Sequence, residues 1–274
     1  MTINCKGKLI DLSTPKVMGI LNVTPDSFFD GGRYKDENPI LNQVETMLNQ
    51  GATFIDIGAY SSRPNADFVT EEEELQRIVP IVELLVKRFP EIIISVDTFR
   101  SEVAKQTIKA GASLINDISA GFLDEKMMQT VANLSVPYIM MHMRGTPQTM
   151  QTLTDYDNLT KDVNFYFSER INKARALGIV DLILDPGFGF AKTTQQNFEL
   201  LNQLELLNIA DLPLLVGVSR KSMIYKTLDT TAQNALNGTT ALHMIALQKG
   251  AKILRVHDVK EAKECITLYN KLHA

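Results

Sequence analysis

No stretch of this 274-residue chain approaches the roughly 20 consecutive apolar residues that a membrane span needs, and residues 1–8 lack the basic-then-apolar order of a signal peptide. Both absences point to a soluble, cytoplasmic protein. Cysteine is scarce: Cys5 and Cys265 stand far apart, without zinc-type spacing, which argues against a disulfide framework and suits free thiols in a reducing compartment. Charge of one sign is lacking too. The net charge is only −4 and the 28 Lys and Arg residues are dispersed, so there is no electrostatic footprint for DNA or RNA. Histidine is limited to four residues with no HExxH-type cluster; His243 and His273 read as helix-surface residues, and His142 stands open between core and site. No Pro- or Ser-rich linker, low-complexity tract or repeat of fixed period divides the chain, so residues 1–274 read as one domain.

What is present is a rhythm. Short apolar runs rich in Val and Ile recur at 17–22, 54–57, 92–97, 114–118, 138–142, 182–185, 214–218 and 253–257, and each has the length and composition of a buried strand. Segments of helical spacing lie between them. The clearest places Leu75, Ile78, Val79, Val82, Leu85, Val86 and Phe89 on one apolar stripe; Thr70 and Glu73 have capping-box spacing at its start, residues 71–74 read as a solvated first turn, and Pro80 predicts a slight bend. Strands alternating with helices imply a parallel sheet, because each right-handed crossover returns the chain to begin the next strand in the same direction. Eight such units predict a single (β/α)8 barrel, for which 45% hydrophobic content and this length suffice. A doubly wound sheet should carry a dinucleotide fingerprint after its first strand. Asn22-Val-Thr-Pro-Asp-Ser stands there instead, and Gly187-Phe-Gly189 lacks the third glycine.

Most of the apolar runs stop on a polar residue: Asn22, Asp97, Asn116-Asp117, His142, Asp185, Ser219 and His257. Alone, any Asp or Asn can cap a helix or fix a turn. Together on the carboxyl-terminal rim of a barrel they predict an active site, because so many buried polar groups are costly unless they meet a ligand, a metal or one another. Two loops of mixed Gly, Asp, Ser, Arg and Phe, residues 24–32 and 58–65, read either as lids over a substrate or as plain connections. Ser219-Arg-Lys-Ser222 sits where a strand should give way to a helix, so free backbone N–H groups there, with Lys221 and Ser222, favour an anion. Arg255 and His257 alternate around Val256 and share one strand face, which also suits an anionic substrate.

Gly19-Ile-Leu-Asn-Val-Thr-Pro-Asp-Ser-Phe28, Ser61-Ser-Arg-Pro64, Ser95-Val-Asp-Thr98, Ile115-Asn-Asp-Ile118, Leu184-Asp-Pro-Gly-Phe-Gly-Phe190, Ser219-Arg-Lys-Ser222 and Arg255-Val-His-Asp-Val259 closely resemble, in order and over nearly the whole chain, the dihydropteroate synthases. The resemblance implies a homodimeric barrel of folate synthesis that joins a dihydropterin pyrophosphate to p-aminobenzoate with release of pyrophosphate. It assigns Asp97, Asn116, Asp185 and Lys221 to the pterin. Asn22, Arg63, Arg255 and His257 would meet the pyrophosphate, with Asn22 also holding Mg2+, and Ser62 and Ser222 would meet p-aminobenzoate. Asp97 and Lys221 would join Asp30 in catalysis, Asp30 stabilising a pterin cation. Ala59-Tyr60-Ser61-Ser62 departs from the Gly-Glu-Ser-Thr of many relatives, and Asn65 stands where glycine is common. A pterin-binding methyltransferase would share the pterin carboxylates but has no need of Arg63, Lys221-Ser222 and Arg255-His257. A non-catalytic pterin-binding paralogue is the other alternative, against which Asn22, Asp30, Arg63 and Lys221 speak.

Overall fold

The computed structural model describes residues 1–23, 29–30, 33–34, 38–60 and 69–273, with 29–30 and 33–34 described by their backbone alone. Its centre is a closed barrel of eight parallel strands: β3 (Lys16–Asn22), β6 (Phe54–Gly58), β7 (Ile94–Asp97), β8 (Leu114–Asp117), β9 (Tyr138–Met141), β10 (Leu182–Asp185), β11 (Leu214–Val216) and β12 (Ala251–Val256), with β12 paired to β3; the short β4 (Phe29–Asp30) and β5 (Arg33–Tyr34) form a separate antiparallel pair. Every apolar run expected to be a strand is one, within two residues at most boundaries. Nearly all of these strand residues are buried, which is why the runs are continuous rather than alternating.

An antiparallel hairpin, β1 (Thr2–Cys5) with β2 (Lys8–Asp11), precedes the barrel and was not anticipated. Its Ile3, Cys5 and Ile10, followed by Leu12, pack with Met18, Phe54, Ile93, Leu114, Ile139, Ile183, Leu215 and Ile253, one residue from near the start of each barrel strand. The hairpin therefore plugs the amino-terminal end of the barrel, and Cys5 is a buried free thiol within that plug. The plug leaves the opposite end as the open face.

Helices α1 (Asn38–Asn49), α2 (Glu71–Arg88), α3 (Ser101–Ala110), α4 (Met127–Leu134), α5 (Leu159–Ala176), α6 (Thr194–Asn202), α7 (Ser222–Thr227), α8 (Leu236–Gln248) and α9 (Val259–Leu272) surround the strands. The Thr70–Glu73 capping box is formed, and α2 runs on through Pro80. Its first turn is not wholly solvated. Glu74 is buried and meets Arg100 Nη1 at 2.5 Å, because the fourth residue of the helix points inward at the end of β7. No helix among the described residues is long and apolar enough to cross a membrane.

His243 is likewise not a surface residue. It lies on the inner face of α8 with Thr239, Ala246 and Leu247, only 1% exposed, and neither ring nitrogen has a hydrogen-bond partner among the described residues. Burial pulls the imidazole down to about 4, with Asp258 opposing. The unfolded chain takes up this proton near pH 6.5 whereas the folded one resists until about pH 4, so stability is lost as pH falls through that window, by about 3 kcal/mol in full. His243→Leu should abolish this loss. Urea unfolding of wild type and variant at pH 8 and pH 4.5 should show the variant losing about 2–3 kcal/mol less on acidification; equal losses would contradict the assignment. His273, by contrast, is exposed near the chain end as expected.

Candidate active site

Side chains along a strand face one way with a period of two. Counting from the plug layer, the next inward positions are Ile20, Asp56, Ser95, Asn116, Met141, Asp185, Gly217 and Arg255, and the layer above holds Asn22, Asp97, Ser219 and His257. The barrel thus changes from hydrocarbon to polar groups toward its open face.

At the centre of that layer Arg255 donates through Nε to Asp56 Oδ2 at 2.6 Å and through Nη2 to Asp97 Oδ2 at 2.7 Å. Asp56 Oδ2 also accepts from Asn116 Nδ2 at 3.1 Å, and Asp56 Oδ1 is buried without a partner among the described residues. Burial works against the Arg255 charge, but Asp56 and Asp97 outweigh it and hold the guanidinium above its usual range. Two carboxylates share one cation. Asp97 is pushed up to about 7, chiefly by burial and against Arg255, with Asp56, Glu74 and Asp117 adding to the rise.

Across the mouth, Asp185 ends β10 and accepts from Gly187 N at 2.8 Å. Burial pushes its carboxyl up, with Lys221 foremost among the groups opposing. Lys221, the N-cap of α7, donates to the Phe188 carbonyl, and its Nζ lies 4.9 Å from the centre of the Phe190 ring. Burial pulls this ammonium down to about 8 against the attraction of Asp185. Each member of the pair would be disfavoured as an ion without the other.

Asp97, Asn116, Asp185, Lys221 and Arg255 thus gather at one mouth. Asn22 lies exposed at the end of β3, and Ser222 is the first residue of α7. His257 is exposed on the rim with Nδ1 3.0 Å from Ser219 Oγ, which also accepts from His257 N at 3.1 Å. The Ser219 hydroxyl, with one proton and two lone pairs, can donate to Nδ1 or accept from it according to the ring tautomer. Arg220 turns away into a bidentate pair with Asp258, both bonds 2.8 Å. Ser62 and Arg63 lie outside the described residues, as do Asn65 and most of 24–32; Asp30 is placed by its backbone only, paired with Arg33. Tyr60, one of the departures, packs edge-on against Phe99 at 5.2 Å with the Arg100 guanidinium 5.4 Å from its ring.

Two polar residues at the site escaped the sequence reading. Asp56 sits inside an apolar run, not at its end, and the signal that finds it is the period of two from Phe54. Lys192 follows the strand-end motif by seven residues and is 6% exposed; burial pulls it down to about 7 with Asp185 opposing. His142, left open, is buried and lies 2.9 Å through Nδ1 from Lys192 Nζ.

Residues 18–257 match the family model described as pterin binding enzyme. The chain is 46% identical to dihydropteroate synthase of Escherichia coli K12 over 97% of its own length and 94% of that protein's. It superposes with a TM-score of 0.93 and 44% identity on the Yersinia pestis dihydropteroate synthase, solved in complex with a sulfonamide drug, covering 100% and 99% of the two chains. The Xanthomonas albilineans dihydropteroate synthase with 4-aminobenzoic acid gives a TM-score of 0.91 at 38% identity, covering 100% and 98%. Likeness of this extent in sequence and structure, over a mouth built from the motif residues, establishes that the chain belongs to the pterin-binding enzyme family, among its dihydropteroate synthases.

Proposed function

We propose that the open face of the barrel condenses 6-hydroxymethyl-7,8-dihydropterin pyrophosphate with p-aminobenzoate, and that the quartet of buried Asn116 and Asp185 with half-buried Asp97 and Lys221 carries the reaction's first substrate. The quartet is the observation that supports this reading best. Two carboxylates and an amide oxygen, Asp185 and Asn116 withdrawn from water and Asp97 half-buried, select a flat ring rich in N–H groups, because an isostere without those donors leaves these acceptors unpaired.

The C–O bond of the pterin's exocyclic methylene breaks and its electron pair departs with the pyrophosphate. Arg255, His257 and Arg63 meet the departing charge, for which cations and a ring N–H are the fitting groups. Asp30 stabilises the carbocation left behind. The arylamine nitrogen then attacks the methylene carbon and loses a proton, with Ser62 and Ser222 contacting the aminobenzoate. Exclusion of water is essential, since water would otherwise capture the cation.

Among the described residues no three His, Cys, Asp or Glu side chains gather as a metal site. The exposed Asn22 amide oxygen is a hard donor that fits a Mg2+ ion bringing water and substrate phosphate oxygens as its other ligands. Such an ion would neutralise the pyrophosphate charge, and Asn22 is the residue that would hold it. We also assign the chain to the cytoplasm, acting as a homodimer, on the strength of the family likeness.

The test is to incubate the protein with the dihydropterin pyrophosphate, p-aminobenzoate and Mg2+ and follow both products. Pyrophosphate and dihydropteroate are expected in equal amounts. Pterin binding with neither product would point to a non-catalytic paralogue, and no pterin binding at all would overturn the reading.

A further inference from the structure

Lys192 has no place in the roles above, although its side chain is as deeply set as the pterin carboxylates. An ammonium has three N–H donors and no lone pair. Lys192 Nζ has three neighbours to match: Gly187 O at 3.0 Å, Phe190 O at 3.0 Å and His142 Nδ1 at 2.9 Å. Two are carbonyls, which only accept. Burial first, then Lys192 and Arg144, push the His142 imidazole well below the usual range, so the ring is neutral, and facing a charged Lys192, which has no lone pair, its Nδ1 is the acceptor.

These bonds converge inside the turn that leaves β10. Gly187 has φ +70°, and a Cβ there would lie 2.1 Å from the His142 carbonyl oxygen, so the turn is pressed against the end of β9 where only glycine fits. Gly187 O accepts from Phe190 N at 3.1 Å as well as from Lys192, which occupies both of its lone pairs. From the same turn, Asp185 Oδ1 accepts from Gly187 N, Phe188 O accepts from Lys221, and the Phe190 ring faces the Lys221 ammonium. One buried ammonium therefore ties together the backbone that presents three groups to the mouth.

We propose that Lys192 is a positioning residue for the pterin pocket, its three hydrogen bonds holding the 185–190 turn in the shape that sets Asp185, the Phe188 carbonyl and the Phe190 ring around the pterin. The inference rests on the reading that Asp185 and Lys221 bind the pterin. Lys192 does not touch substrate; it acts through the turn. Its charge works in the same direction, since Lys192 is among the cations, with Lys221 and Arg255, that favour the ionised form of Asp185. Without the ammonium, two carbonyls and a ring nitrogen lose their shared donor and the turn relaxes.

The effect should fall on one substrate. Lys192→Met keeps the length of the side chain and removes donors and charge. With both substrates varied, it is expected to raise KM for the dihydropterin pyrophosphate by about tenfold or more, the scale of a lost hydrogen bond to a charged group, and to leave KM for p-aminobenzoate within about twofold. A uniform fall in kcat with both KM values unchanged, or a parallel rise in both, would show a merely structural lysine and overturn the proposal. Should Lys192→Met fail to fold, His142→Leu removes a single acceptor and should raise the pterin KM by about threefold. His142→Asn, whose oxygen can replace Nδ1, should restore it. An unchanged pterin KM in a folded His142→Leu protein would be equally fatal. If the wild-type chain binds the dihydropterin pyrophosphate without turnover, the synthase reading falls by itself, and the same tenfold difference between wild type and Lys192→Met is then read as affinity by calorimetry.

Discussion

Asp185→Ala is expected to lower kcat/KM for the dihydropterin substrate by about a thousandfold, two charge-assisted hydrogen bonds of roughly 2 kcal/mol each being lost together. Asp185 is only 6% exposed, so no water of bulk character can stand in for the missing carboxylate. A second loss compounds the first. Asp185 is the principal anion opposing the fall of both Lys221 and Lys192. Without it Lys221, already drawn down to about 8, sheds its proton at still lower pH, and the alkaline limb of the pH profile moves toward neutrality. Asp185→Asn separates the two effects, since the amide retains one acceptor and the side-chain volume while removing the charge. It should recover part of kcat/KM and show the same displaced limb. Steady-state kinetics across pH, with circular dichroism to verify folding, make the check. A fall of less than tenfold in a folded Asp185→Ala protein would remove Asp185 from the pterin site.

The barrel was legible because its strands are buried on both faces. Continuous Val- and Ile-rich runs cannot be mistaken for surface segments, and polar residues at their ends mark the rim without any structure. Asp97, Asn116 and Asp185 are visible by that rule, Arg255 by its alternation with His257, and all four stand together at the mouth. The rule looks at strand ends, however, and so passes over Asp56, which shares the layer of Asn116, Asp185 and Arg255 but stands two residues before the end of its own strand and is visible only when inward and outward positions are counted separately. The amino-terminal hairpin escapes the sequence because its strands are only four residues long, and its apolar residues acquire meaning only from the barrel base they close. His243 and Glu74 depart from expectation for a common reason: a polar residue on a helix is expected to face water, whereas tertiary packing turns both inward. Lys192 carries no periodic signal, since its position follows from a turn whose path depends on glycines at positive φ, Gly187 and Gly189.

The missed carboxylate is the basis of the other large effect. Asp56→Ala should lower the unfolding free energy by about 3–5 kcal/mol, the scale on which a buried ion pair fails when one partner is removed. The Asp56 side chain is fully buried, and its Oδ2 takes bonds from both Arg255 Nε and Asn116 Nδ2, so the deletion strands two donors in the core. Asp97 responds in a direction that can be worked out. Asp56 is among the groups that raise Asp97 to about 7, so its removal leaves Arg255 with Asp97 alone and draws that carboxyl down. If ionised Asp97 accepts from the pterin, wild-type activity declines as pH falls below about 7, and the acid limb of the variant lies at lower pH. Stability follows the same linkage. A carboxyl raised in the folded state contributes stability at low pH that is lost as pH rises toward 7, and the variant loses less of it, so its deficit relative to wild type should be larger at pH 5 than at pH 8. Asp56→Asn tells packing from charge: its oxygen can still receive one of the two donors, so the stability loss should shrink, while the acid limb should move as far as in Asp56→Ala. An acid limb that stays in place in both variants would mean that Asp56 acts on Arg255 by position alone and that the charge it shares with Asp97 does not govern the site.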